Sequence, residues 1–134
     1  MKKYFYLSVF LLLFACSSPV AHQDAQIRFT SEEHDFGVVP YKKASGCRFE
    51  FSNPGKTVLL ISDVRTSCGC TVAEWTQTPV KPGKSGTIRV KYDAAFPGVF
   101  HKEVTVYYNG VASPAVLKIK GEVAYPEGKE GEKP

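Results

Sequence analysis

Cys47-Arg48-Phe49-Glu50-Phe51-Ser52-Asn53-Pro54-Gly55-Lys56 decides the fold. Cys47, Phe49 and Phe51 fall on one side of an extended chain, and Arg48 and Glu50 fall on the other. That period of two belongs to a strand with one face buried and one in water. Pro-Gly then occupies the two central positions of a four-residue turn. Proline presets φ for the first position and glycine tolerates the positive φ of the second, which is the type II requirement.

The same punctuation recurs at Lys81-Pro82-Gly83-Lys84 and Phe96-Pro97-Gly98-Val99, and Asn109-Gly110 is a hairpin signal. Between these marks Ile88-Arg89-Val90-Lys91-Tyr92 alternates. So do Val104, Val106 and Tyr108 against Glu103, Thr105 and Tyr107. A last strand runs from Leu117 through Gly121 to Val123, and Ile27–Phe29 and Asp35–Val39 supply two more. Val58-Leu59-Leu60-Ile61 is apolar on both faces and predicts a central strand. About seven short strands with turns at these spacings predict an all-β, immunoglobulin-like β-sandwich. An up-and-down barrel is the alternative, and no βαβ unit is indicated.

Outside this block the composition changes. Met1-Lys2-Lys3, the apolar run Tyr4–Phe14 and then Leu13-Phe14-Ala15-Cys16 resemble a bacterial lipoprotein signal peptide. The run is shorter than the roughly 18–20 residues of a spanning helix, which argues against an uncleaved anchor. An ordinary cleaved signal has no need of the cysteine. The resemblance implies residues 1–15 as signal peptide and Cys16 as an acylated (palmitate-type) N-terminus, with residues 16–26 as lipidated cysteine and tether. The sandwich occupies 27–125. Residues 126–134 contain no apolar side chain and are expected to stay disordered.

Removing the signal lowers the formal charge from +4 to +2, because Lys2 and Lys3 leave and no acidic residue goes with them. So small a balance, with no basic stretch interleaved with aromatics, gives no reason to expect nucleic acid. Enzyme signals are weak too. Ser67, Asp63 and Asp93 form no nucleophile elbow or triad pattern, and Glu32-Glu33 reads as solvated charge. The glycines serve turns. The expectation is a protein that is not an enzyme.

His34-Asp35-Phe36-Gly37, Phe49-Glu50-Phe51-Ser52-Asn53-Pro54-Gly55, Leu60-Ile61, Ser67-Cys68-Gly69-Cys70-Thr71 and Pro79-Val80 with Pro82-Gly83 follow one another in order. Gly98-Val99-Phe100, Lys102 and Leu117-x-Ile119-x-Gly121-x-Val123 complete the set. In this order and spacing the chain resembles the bacterial domain of unknown function 1573, over roughly Ile27 to Tyr125. The resemblance implies an immunoglobulin-like fold related to Hydin-type modules and to the major sperm protein. It also implies an exported lipoprotein context, and it implies no activity.

With Cys16 taken by lipid, three cysteines face an oxidising compartment, Cys47, Cys68 and Cys70. If the strands after Cys47 and before Cys68 run in opposite directions, all three sulfurs gather at one end. A disulfide from Cys47 to Cys68 or Cys70 would close a loop of about 20 residues and stabilise by roughly 3 kcal/mol. A disulfide within Cys68-Gly69-Cys70 is the redox alternative, with glycine permitting the bend and a small ring favouring lability. The third reading is copper or zinc on Cys47, Cys68 and Cys70, with His34 or His101 as a further ligand. Otherwise His34 is a residue at the start of a strand and His101 an exposed strand position.

Trp75 is expected to pack over the Cys-Gly-Cys loop, or else to stand exposed as an anchor for a partner. The functional expectation is a non-enzymatic, lipid-anchored binding or scaffolding module of the cell envelope without cofactor, the outer membrane being favoured. Its partners would be the membrane itself, through Cys16, and an envelope protein docking near Gly69, Thr71 and Trp75. The competing expectation is a periplasmic copper, zinc or thiol-redox protein.

Overall fold

The computed structural model describes residues 25–126. The signal peptide, Cys16 and most of the tether and of the tail lie outside the described residues. Eight strands run in chain order: β1 (Arg28–Phe29), β2 (Glu33–Val39), β3 (Ser45–Ser52), β4 (Ile61–Thr66), β5 (Thr71–Trp75), β6 (Ser85–Tyr92), β7 (Gly98–Tyr108) and β8 (Ala115–Val123). They form two four-stranded sheets, ordered β1-β3-β6-β5 and β2-β8-β7-β4. This is an immunoglobulin-like sandwich, and the barrel alternative is set aside because the two sheets do not join into one.

Alternation builds the core. Phe49, Phe51, Ile88, Val90 and Tyr92 of one sheet meet Phe100, Val104, Val106, Leu117 and Ile119 of the other, all buried. Tyr92 stacks on Phe100 with ring centroids 4.1 Å apart, which joins the layers where β6 ends. Arg48, Glu50, Arg89 and Lys91 stay on the outer face. Lys81-Pro82-Gly83-Lys84 forms the expected turn, with Gly83 at φ +76 and the Lys84 N–H donating to the Lys81 carbonyl at 3.0 Å. Gly55 needs no positive φ, because the buried Asn53 shapes that turn by accepting the Gly55 N–H at 2.9 Å.

Three expectations change. Val58–Ile61 is not a central strand. Only Leu59 is buried there, in an isolated bridge to Val80, and β4 starts at Ile61 as an edge strand. Val58 and Leu60 are exposed. Asn109 clamps this segment from outside, accepting the Leu60 N–H at 2.8 Å and donating to the Val58 carbonyl at 2.9 Å. Second, Thr71–Trp75 is a strand that the sequence did not reveal. Third, the packed body begins before residue 27, since Ala25 is only 2% exposed. Its carbonyl lies where a side chain on Gly110 would stand, so the missing Cβ makes room for the incoming chain.

The chain therefore enters beside Tyr108 and Gly110. The β4–β5 connection sits farther back along β7, where Ser67 meets Glu103. Five steps along the strand separate Glu103 from Tyr108, roughly 17 Å.

Candidate functional site

Ser67-Cys68-Gly69-Cys70 carries the chain from an edge strand of one sheet to an edge strand of the other. Cys68 and Cys70 are joined by a disulfide, with Cα atoms 5.3 Å apart. Backbone bonds hold both sides of this turn. The Ser67 N–H donates to the Glu103 carbonyl at 2.9 Å, and the Glu103 N–H donates to Ser67 Oγ at 3.0 Å. The Asp93 N–H donates to the Cys70 carbonyl at 3.0 Å. Thr66 Oγ1 lies 3.0 Å from the carbonyl oxygens of both Cys68 and Thr71, sharing its proton across the turn.

Glycine is not what permits the bend. Gly69 has no positive φ, and a Cβ there would meet nothing within 4 Å. The turn is open to solvent on that side. Thr71 stands behind it, 3% exposed, with Oγ1 3.6 Å from Cys68 Sγ and 4.0 Å from Cys70 Sγ.

Cys47 does not join the other sulfurs. It lies at the same end of its sheet, as the strand directions require, but β6 intervenes, with Cys47 and Ala73 both pairing with Val90 from opposite sides. Two strand spacings put Cys47 about 10 Å across the sheet from β5, beyond disulfide reach. The expected link from Cys47 to Cys68 or Cys70 is replaced by the Cys68–Cys70 bond. Burial pushes the Cys47 thiol up to about 11, so it stays protonated and unreactive at neutral pH.

The five-member set Cys47, Cys68, Cys70, His34 and His101 is not gathered either. His34 contacts Phe36 edge-on at 4.6 Å, whereas His101 is exposed on β7 opposite Lys120. Among the described residues no three His, Cys, Asp or Glu side chains converge to hold a metal.

Trp75 is half-buried against the core, but it does not cover the turn. It pairs with Ile88 at the far end of β5, four residues from Thr71 and roughly 13 Å away. Bonds to β6 from Cys70 and Thr76 fix which backbone groups of β5 face inward. The alternate residues, Ala73 and Trp75, turn their N–H and C=O groups away from β6. Among the described residues no strand pairs with β5 on that side.

Next to this edge, the outer face of β3, β6 and β5 holds a hollow of about 460 Å³. Gly46 leaves it open; Arg48, Arg89, Lys91, Glu74 and the exposed Val72 surround it. Arg48 stands directly opposite Arg89, a like-charge pair that costs stability, with Glu74 on the far side of Arg89. In the sequence these cations are simply the solvated halves of alternating strands. Only the register brings them together.

A family model described as "Protein of unknown function (DUF1573)" matches residues 27–123. The chain belongs to that family. Like this DUF1573 member, a protein of unknown function from Porphyromonas gingivalis W83 has the sandwich, with TM-score 0.68 and 22% identity over 78% of this chain and 50% of that one. This chain thus spans half the length of that protein. The ASH/PapD-like domain 7 of human CEP192 is similar with TM-score 0.62 and 9% identity, covering 79% of this chain and 89% of that domain. The VesB protease of Vibrio cholerae contains a similar region, with TM-score 0.57 and 16% identity over 74% and 32% of the two chains. At these identities the likeness concerns the fold. No curated protein matches the sequence.

Proposed function

We propose that this protein is a non-enzymatic, lipid-anchored module of the cell envelope that binds an extended segment of an envelope protein by strand addition at β5. The observation that carries this reading is the unpaired β5 edge, with the Ala73 and Trp75 backbone groups directed away from β6. Such an edge supplies main-chain hydrogen bonds, while neighbouring side chains supply selectivity. Arg48, Arg89 and Lys91 outnumber Glu74 around the adjacent hollow, which favours a partner with acidic groups beyond the added strand. With Cys16 acylated, the tether would join the fold at the end bearing Tyr108 and Gly110. The outer membrane is the favoured site of anchorage.

The test is Ala73→Pro. Proline there removes only the outward N–H, so the β6 ladder is untouched. A photo-crosslinking residue at the exposed position 72 should trap a defined envelope partner in the cell of origin, and Ala73→Pro should abolish that product while the domain stays folded. An undiminished product in Ala73→Pro would sink the strand-addition reading. Loss of fatty-acid labelling and of membrane fractionation in Cys16→Ala is expected for the anchor, and unchanged fractionation would overturn it.

A further inference from the structure

Thr71 buries a hydroxyl whose hydrogen-bond partners among the described residues are two sulfurs, at 3.6 and 4.0 Å. Disulfide sulfur is a poor acceptor, so the hydroxyl is weakly satisfied as long as the bond is closed. A thiolate is a far better one. The buried donor therefore favours departure of a sulfur as thiolate when the bond is opened.

Two further observations bear on the same bond. Cys70 packs against the core and Cys68 does not, and a Cβ on the intervening Gly69 would meet open space. Approach to the turn is unobstructed from outside. Among the described residues no third sulfur is at hand, because Cys47 lies across β6.

We propose that the Cys68–Cys70 disulfide takes part in thiol–disulfide exchange with a dithiol partner, Cys68 being the sulfur attacked and Cys70 the leaving group. A partner thiolate attacks Cys68 Sγ; the partner-S–Cys68 bond forms as the Cys68–Cys70 bond breaks. Cys70 Sγ departs with the electron pair, receives the Thr71 hydroxyl as it turns from Cys68 to the sulfur 4.0 Å away, and then takes up a proton. The second partner thiolate attacks the partner's own sulfur in the mixed disulfide, and Cys68 leaves as a thiolate that is protonated in turn. The partner loses two electrons and gains a disulfide, and the protein ends as the Cys68/Cys70 dithiol. Thr71 is a positioning residue for this step. Attack by Cys70 on Cys68 would only reverse the step, so the partner's second thiol completes the reduction.

The proposal is independent of strand addition at β5 and is tested without a docked partner. The exported full chain is equilibrated with glutathione and glutathione disulfide, then acid-quenched, alkylated and weighed as an intact chain, with near-ultraviolet circular dichroism recorded alongside. Disulfide and dithiol forms should interconvert with native dichroism throughout. In Cys70→Ser, exchange with glutathione disulfide should leave one glutathionyl group on Cys68 and release one glutathione, and in Cys68→Ser the adduct on Cys70 should form at least tenfold more slowly. Thr71→Val should slow reduction of the wild-type pair several-fold with dichroism unchanged, and Thr71→Ser should restore the rate. A bond that is reduced only when native dichroism is lost would overturn the proposal. So would equal rates of adduct formation at Cys68 and Cys70.

Discussion

Asn109 holds Leu60 in place from the other end of the chain, its side-chain oxygen accepting the Leu60 N–H at 2.8 Å. Its amide nitrogen donates to the Val58 carbonyl at 2.9 Å. These two bonds replace the ladder that the apolar run Val58–Ile61 would have had as a strand. Asn109→Ala removes both at an exposed site, where water can substitute in part. The expected cost is about 1–2 kcal/mol, read as a lower urea midpoint with an unchanged slope.

Asn53 should matter more. It is fully buried, and its side chain donates to the Thr57 and Val80 carbonyls and accepts the Gly55 N–H. Asn53→Ala leaves the Thr57 carbonyl and the Gly55 N–H without these partners, while the Val80 carbonyl keeps the Leu59 N–H. A loss of roughly 3 kcal/mol is expected, measured by the same urea titration. A loss equal to that of Asn109→Ala would contradict the assigned roles.

Removing the disulfide by Cys68→Ser with Cys70→Ser should cost little by comparison. A ring spanning three residues contributes about 1.6 kcal/mol in the chain-entropy model, half of what the longer Cys47 loop would have given. The backbone bonds around Ser67, Glu103 and Asp93 remain. The double variant should therefore stay folded, with its thermal midpoint lowered by several degrees, and outright unfolding would show that the bond is a staple after all.

Cys47 links stability to alkaline pH. Its folded thiol is raised from the ordinary 9.0 to about 11 by burial, so between these values the folded state holds a proton that the unfolded state has lost. Stability from this group is complete below about pH 9 and declines as pH rises towards 11. Cys47→Val, close in volume and without the titration, should flatten that decline in a pH series of urea midpoints. At neutral pH the wild-type thiol should react with iodoacetamide far more slowly than a free cysteine.

Gly121 marks a close approach of β8 to its neighbours. A Cβ there would stand 2.8 Å from the Gly37 carbonyl and 2.9 Å from the Phe100 ring. Gly121→Ala should destabilise by about 1–3 kcal/mol through displaced packing. Gly69→Ala, with open space around it, should be near neutral, and the contrast is checked by paired thermal melts.

The sequence by itself determined which faces are buried along β3, β6, β7 and β8, because local alternation of apolar and charged residues is set by solvent and needs no knowledge of neighbours. It also determined the Pro82-Gly83 turn, whose geometry is fixed by φ preferences within four residues, and the family, carried by the ordered motifs. It left β5 hidden, since Thr71-Val72-Ala73-Glu74-Trp75 turns threonine and alanine inward and valine outward, against the usual hydrophobic sign.

The pairing of the cysteines and the grouping of Arg48 with Arg89 were decided only by tertiary structure. Both depend on β6 lying between β3 and β5. That order arises from contacts between residues far apart in the chain, and nothing in the residues beside Cys47 encodes which strand will stand next to it.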